Sequence, residues 1–414
     1  MLRVAVALAA LAFTPSAAAW TPVGSGVQNT VVPSIVVTQA ATVLASYESP
    51  LAGTISVVRQ GAPPKVVVTG DPAANRTQLV QQPNGALQLY FPNAQGVARL
   101  TSTDDGQTWT GPAQTQSHTL GPVNGAAVAA DGTVYFAQDG TGFVNVFRGL
   151  DGTQVQNVYT RCCGYHESLA VDTAGLVQVA LYSNADPDGA AVYEALGPDL
   201  TPGAPTVLKP VAEHEAPLVA DRSGNTFLAW APGYPAAVSL SVVPVRGGGP
   251  SGDGVTFRGT FTGADPHMAL AVDANDRLWL VWTQGGRLHA ARSRSHGLHF
   301  GATVTTTLPG TVYQLAAAGI GGTVGHAQVV VNAGTTLQTE NVEPGLSVRV
   351  FRTTKKKRVT WWAQALDDGF AVPHASFRIR GRTIAADGNG KAQVPAGRGT
   401  AAAPGYVSAS FRVP

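Results

Sequence analysis

One pattern returns seven times along the chain at nearly even spacing: an apolar strand, a tight turn that often carries Asp and Gly, and a second apolar strand ending in an aromatic residue. SLAVDTAGLVQVALY (168–182), PLVADRSGNTFLAW (217–230) and MALAVDANDRLWLVW (268–282) are the clearest copies. Weaker ones are SIVVTQAATVLASY (34–47), LVQQPNGALQLY (79–90), AAVAADGTVYF (126–136) and YQLAAAGIGGTVGHAQVVV (313–331). Their turns centre on Ala41, Gly85, Gly132, Gly175, Gly224, Asp276 and Gly322, at intervals of 44, 47, 43, 49, 52 and 46 residues. Hairpins apolar on both strands must be covered on both faces, and the more alternating stretches between them supply two further, partly solvated strands per unit. A four-stranded unit of this length cannot bury itself alone, and closing the set into a ring removes the open sheet edges. The spacing therefore predicts an all-β fold, a seven-bladed β-propeller, with a six-bladed ring as the alternative because the last hairpin (313–331) is the most divergent.

Composition agrees with many short strands. Charged residues make up 13% of the 414-residue chain, against roughly 25% in typical globular proteins, while Gly (48) and Pro (28) are abundant. The net charge of +2 offers no basic footprint for nucleic acid. Residues 1–19 carry Arg3, an apolar run from Val4 to Phe13, and a small-residue stretch Ala17-Ala18-Ala19. This is the pattern of a secretory signal peptide, so a secreted, extracellular protein is expected. No later segment offers the roughly 18 continuous apolar residues of a membrane span, so no transmembrane anchor is expected.

Ser102-Thr103-Asp104-Asp105-Gly106-Gln107-Thr108-Trp109 has the form S-x-D-x-G-x-T-W, and Ser293 to Phe300 is a decayed copy with Ser295 in the Asp position. The first segment resembles the Asp-box (BNR) turn of sialidase-like β-propellers. In that family the box is structural: the carboxylate caps backbone N–H groups, Gly takes a positive φ and Trp packs between outer strands. From about Val359 the chain changes to alternating runs separated by Asp367-Asp368-Gly369, Asp387-Gly388-Asn389-Gly390 and Pro404-Gly405. This segment is similar to carboxypeptidase-regulatory-like and bacterial Ig-like modules, which implies a small β-sandwich. The expected organisation is thus a signal peptide over 1–19, a propeller over 20–352, a basic linker over 353–358 containing Lys355-Lys356-Lys357-Arg358, and the sandwich over 359–414.

In a propeller, the residues just before each innermost strand converge on the axial mouth. Nine positions before the seven turns stand Val32, Arg76, Val123, His166, Glu215, His267 and Tyr313, with Asn124 and His214 one place away. Arg76, Asn124, His166, His214, Glu215, His267 and Tyr313 are therefore the candidate ligand-binding residues. His166, His214 and His267 can be read as ligands of a divalent metal, with Glu167, Glu213 or Glu215 as an oxygen donor, or as hydrogen-bonding residues of a hydrated channel. Tyr182, Trp230 and Trp282, with Tyr47, Tyr90 and Phe136, end the second strands; they can stack on sugar rings or, more commonly for such residues, pack between blades. The adjacent Cys162 and Cys163 suit a strained vicinal disulfide, bracing a loop or meeting a ligand.

The sialidase resemblance implies an arginine cluster, a Tyr nucleophile paired with Glu, and an Asp acid/base. Tyr313, Glu215, His166 and His267 are the candidate catalytic residues, but the family's early Arg-Ile-Pro motif is missing and the first unit, Val32 to Tyr47, contains no arginine. The reading that follows is a secreted, monomeric propeller binding an extracellular glycan or small ligand at its axial mouth. A sialidase-like glycoside hydrolase or metal-dependent lyase at the same place, and a structural or adhesive surface protein, are the alternatives.

Overall fold

The structure, a computed structural model, describes residues 20–414 apart from 50–51, 71–75, 117–122, 141–142, 152–153, 159–163, 186–187, 213–214, 247, 253, 260, 262–265 and 356–357. Residues 1–19, Glu213, His214, Cys162, Cys163, Lys356 and Lys357 lie outside the described residues. The described residues are all-β, without a helix.

Seven antiparallel sheets follow one another along the chain, here numbered sheets 1 to 7: residues 34–69, 78–116, 123–158, 164–208, 218–258, 268–307 and 314–342. Sheet 7 takes its outermost strand from the other end of the chain, since Thr21–Ser25 pairs with Thr336–Val342. The innermost strands touch in cyclic order, Ser34–Val37, Gln78–Gln81, Val123–Val128, Gly164–Val171, Leu218–Ala220, Met268–Val272 and Gln314–Ile320, the last returning to the first. The fold is a β-propeller.

Burial explains why both strands of each repeated hairpin are apolar. Instead of one central core, a separate hydrophobic cluster fills each junction between neighbouring sheets: Ile55 and Leu89 between sheets 1 and 2, Tyr90 and Phe136 between 2 and 3, Val146 and Val179 between 3 and 4. Tyr193 and Leu228, Leu240 and Leu280, Trp279 and Val329, and Tyr47 and Val330 continue the series around the ring. The inner hairpins are thus sandwiched between two apolar layers, and their sequence has no polar face to show.

The seven turn positions share one backbone state. Ala41, Gly85, Gly132, Gly175, Gly224, Asp276 and Gly322 all have positive φ, from 56° to 126°, which explains the preference for Gly and Asp there. In three units an Asp carboxylate caps the same turn. Asp172 Oδ1 accepts from the N–H groups of Ala174 and Leu176 at 2.9 Å each, Asp221 Oδ1 from Asn225 N–H at 2.8 Å, and Asp273 Oδ1 from Asn275 N–H at 2.8 Å.

The 102–109 turn makes the bonds its sequence calls for. Asp104 Oδ1 accepts from Ser102 Oγ and Thr108 N–H at 2.8 Å each, Oδ2 accepts from Thr108 Oγ1 at 2.5 Å, and Gly106 takes φ 79°. Trp109 packs against the cluster between sheets 1 and 2. The Thr108 hydroxyl and N–H hold the Asp104 carboxyl down at a pKa of about 2. A depressed carboxyl supports the turn above its ordinary pKa of 3.8 and loses that support as pH falls toward 2. Asp104→Asn is expected to abolish this acid dependence and to speed exchange of the Thr108 amide at pH 6. Unchanged exchange would remove the carboxylate from its capping role. In the decayed copy, Ser295 does not act as the cap. The hydroxyl of Ser293 accepts from Leu278 N–H at 2.8 Å, and Phe300 packs edge-on to Phe257 at 5.1 Å in the place of the Trp.

Beyond Val342 the chain forms two further sheets that share one core. One contains Ser347–Lys355, Arg358–Asp367, Phe370–Ala371 and Lys391–Gln393; the other contains Arg382–Ala385, Ser376–Ile379, Gly397–Ala402 and Ala409–Val413, in that spatial order. Ala363, Ala365, Phe377, Ile379, Ala401 and Val413 meet between them. The expected boundary at 352/353 falls inside a strand. Lys355 ends strand 347–355 and pairs with Arg358, the first residue of strand 358–367; Lys356 and Lys357 between them lie outside the described residues. The sheets are tied to sheet 6 by Arg292 to Asp367 and by Arg294 to Asp368 at 2.7 Å.

Candidate axial site

The inner strands surround a pocket of about 460 Å³ at the axis, within the range of ordinary small-ligand sites. Its polar lining includes Arg76, Gln78, Asn124, His166, Glu167 and Glu215, drawn from sheets 2 to 5. Two local irregularities aim these side chains. The inner strand of sheet 3 breaks register between Val123 and Gly125, which lifts Asn124 off the ladder. That of sheet 4 breaks register between Tyr165 and Ser168, which lifts out His166 and Glu167, with His166 at φ 58°. Bulges re-aim side chains in this way, and a non-glycine residue held at positive φ stores strain that the surrounding packing must support. Gly125 allows the neighbouring strand to pass: a Cβ there would stand 2.8 Å from the Glu167 carbonyl oxygen.

The lining residues hold one another. Arg76, which is 9% exposed, hydrogen-bonds the Nδ1 of His166 from a position 90 residues away. A guanidinium only donates, so Nδ1 accepts in this contact. Asn124 Nδ2 donates to Glu167 Oε2, and Gln78 Nε2 donates to the Asn124 carbonyl at 3.0 Å. On the far side, Glu215 Oε1 lies 3.3 Å from His267 Nδ1, and Glu215 Oε2 accepts from Met268 N–H at 3.4 Å. The His267 backbone is clamped by Thr283, whose Oγ1 accepts its N–H at 3.0 Å and whose own N–H donates to its carbonyl at 2.9 Å. The Nε2 of His267 is buried and the ring does not line the pocket, so the pair presents the Glu215 carboxylate to the cavity.

The sequence-derived candidates divide accordingly. Arg76, Asn124, His166 and Glu215 are brought to the pocket, with His267 paired to Glu215 beside it. Tyr313 is 38% exposed and does not line the pocket; its neighbour Gln314 does. The inner strand of sheet 7 runs in register with no bulge, and Tyr313 N–H is tied to the Asn332 carbonyl at 2.9 Å, so the alternation turns the next residue inward. Tyr182 and Trp282, each 4% exposed, are buried between sheets, and Trp230 packs against the cluster between sheets 4 and 5. Trp282 stacks on His289 at 5.3 Å. None of the three aromatics lines the pocket, because the second strand of each hairpin is covered on both faces. Gln78, Gln314 and Ser168 also line the pocket: Ser168 follows the bulge of sheet 4, while Gln78 and Gln314 stand two and one positions beyond the counted residues in strands without a bulge.

The three-histidine metal reading includes His214, which lies outside the described residues. Among the described residues, the three potential ligands whose donor atoms lie within 4.8 Å of one another are Asp221, Asp276 and His296. They stand on turns at the other end of the strands, where sheets 5 and 6 adjoin. The carboxylates already serve those turns: Asp276 Oδ1 accepts from Arg222 N–H at 2.9 Å, and Asp221 Oδ2 accepts from Asn225 Nδ2 at 2.8 Å. His166 and His267 are engaged by Arg76 and Glu215 and belong to no such group.

Fold and site together define a β-propeller with a polar, hydrogen-bonded axial pocket. Compared with solved structures, the chain is similar to virginiamycin B lyase from Staphylococcus aureus at 11% identity and a TM-score of 0.50, with 78% of this chain and 99% of that one covered. A catalytically inactive variant of the same lyase with quinupristin aligns at 12% identity and the same TM-score, covering 78% and 98%. A streptogramin B lyase aligns at 13% identity and a TM-score of 0.50, covering 78% and 97%. This likeness establishes the propeller and does not single out the sialidase type. No family model matches the chain, and no curated protein matches it. Among the described residues no helix is long and apolar enough to cross a membrane.

Proposed function

We propose that this protein is an extracellular seven-bladed propeller that binds, at its axial pocket, a small hydroxylated ligand carrying a carboxylate, such as an acidic sugar. The carrying observation is the convergence of Arg76, Asn124, His166, Glu167 and Glu215 from four consecutive sheets on one cavity of about 460 Å³. Arg76 supplies the planar fork that matches a carboxylate. Asn124, Gln78, Glu167 and Glu215 suit hydroxyl groups. The burial of Tyr182, Trp230 and Trp282 argues against a stacking platform, so recognition would rest on charge and hydrogen bonding. The Asp-box turn keeps the sialidase superfamily as the preferred lineage, and the two C-terminal sheets are read as its appended β-sandwich module.

Calorimetric titration with glucuronate, galacturonate and N-acetylneuraminate against glucose and galactose tests this reading. Binding of an acid with neutral sugars at least tenfold weaker is expected, and Arg76→Met should weaken the acid by about 2 kcal/mol, roughly 30-fold, for loss of a charge-assisted contact. Equal binding of neutral sugars, or none of the acids, would overturn it.

A second reading, an enzyme acting at the same pocket as a lyase or hydrolase, is favoured by the Glu215–His267 pair. Glu215, which lines the pocket and is held by His267 and Met268 N–H, would take a proton from the ligand while Arg76 balanced the charge that develops. Turnover of fluorogenic acidic glycosides, lowered about 10²- to 10⁴-fold in Glu215→Gln, would establish it. Binding without turnover would leave the first reading alone.

A further inference from the structure

The C-terminal segment carries a charge the rest of the chain does not share. Residues 347–414 contain twelve Lys and Arg against three Asp and Glu, a net of +9, in a chain whose total is +2, so residues 1–346 carry −7. Its cations are not spread evenly. Arg378, Arg398 and Arg412 occupy three adjacent strands, Ser376–Ile379, Gly397–Ala402 and Ala409–Val413, and all three point to the exposed face while Phe377, Ala401 and Val413 are buried. They line one open depression together with Thr400 and Ser410.

The register makes this a costly arrangement for a surface with no ligand. Arg398 stands directly opposite Arg412, a like-charged cross-strand pair that destabilises a sheet. In the adjoining row Arg378 faces Thr400, which faces Ser410. None of the three arginines makes an ion pair among the described residues. Elsewhere in the same segment, Asp367 and Asp368 are spent on Arg292 and Arg294 of sheet 6, so few local carboxylates balance this face.

From this we infer that the 376–413 sheet is a binding face for an acidic polysaccharide, with Arg378, Arg398 and Arg412 taking its carboxylate or sulfate groups and Thr400 and Ser410 its hydroxyls. Fixed guanidinium forks on a rigid sheet fit repeated planar anions. Rows of hydroxyls between them fit a hydroxylated chain. Phe411 also lines the depression, but it is half-buried and packs edge-on to Phe377 in the core at 5.6 Å, and no large exposed apolar side chain lies on the four strands, so the face offers no open platform for unstacked bases and no wedge for a bilayer. The opposite charges of the two parts would steer an acidic polymer to this end and away from the propeller. The inference does not depend on the axial pocket.

The full mature chain is tested against polygalacturonate and heparin, with neutral dextran, a duplex DNA and phosphatidylglycerol vesicles as comparators. Binding to an acidic polysaccharide, weaker for the comparators, is expected. The triple variant Arg378→Gln, Arg398→Gln, Arg412→Gln should lose at least tenfold in affinity. A control triple on the other sheet, Arg349→Gln, Arg352→Gln, Arg358→Gln, removes the same charge and should change it less than twofold. Arg412→Lys, which keeps the charge without the fork, should fall between them and answers the case in which the triple variant fails to fold. Equal losses in both triples, or tighter binding to DNA or vesicles, would overturn the inference. Arg76→Met should leave this affinity unchanged, which separates it from failure of the axial reading.

Discussion

Asp367→Ala should destabilise the protein by about 3–5 kcal/mol, the cost of leaving a buried charge without its counterion. The Arg292 side chain is 3% exposed, pairs with Asp367, donates to the Val324 carbonyl and lies 5.7 Å over the Trp279 ring. Asp367 also accepts from Tyr406 Oη at 2.9 Å, so one carboxylate joins sheet 6 to strand 358–367 and to the bend at Tyr406. The double variant Arg292→Met, Asp367→Leu removes both charges and is expected within about 1 kcal/mol of the parent, because well-packed apolar replacements of buried pairs are often neutral or better. Urea unfolding followed by tryptophan fluorescence reads both. A single variant no worse than the double would mean that the guanidinium is adequately solvated by the Val324 carbonyl and Trp279 alone.

Removing residues 20–26 should open the ring. Thr21, Pro22, Gly24 and Ser25 pair with Thr339, Gln338, Leu337 and Thr336, so the last sheet is completed only by the first described strand. Four paired positions at about 0.5–1.5 kcal/mol per hydrogen bond give a loss on the order of 2–6 kcal/mol. The bared edge at 336–342 would also be free to pair with other molecules. A lower Tm together with concentration-dependent light scattering is expected. A monomer that unfolds at the parental temperature would show that closure contributes little. The seam is sterically tuned: a Cβ on Gly24 would sit 2.6 Å from the Tyr47 ring, so Gly24→Val should reproduce part of the deletion's effect.

Much of the architecture could be read from local chemistry. The seven turn positions named from spacing all adopt positive φ, and Asp172, Asp221 and Asp273 cap their turns as short-range geometry demands. The 102–109 turn likewise contains every partner it needs within eight residues. The site was only half visible. Arg76, Asn124, His166 and Glu215 could be found by counting back from the turns, because a repeat places equivalent residues at equivalent heights. Tyr313 could not be separated from Gln314, since a shift of one residue reverses the face of a strand.

The sequence by itself determined the repeat length, the turn chemistry and the apolar hairpins, because those properties rest on contacts within a few residues. Tertiary structure alone decided that Arg76 meets His166, that Tyr182 and Trp282 are enclosed between sheets, and that Lys355 and Arg358 pair across adjacent strands. Each of those outcomes depends on strand register or on the partner brought up by ring closure. A difference of one residue in a bulge changes them while leaving the local pattern almost untouched.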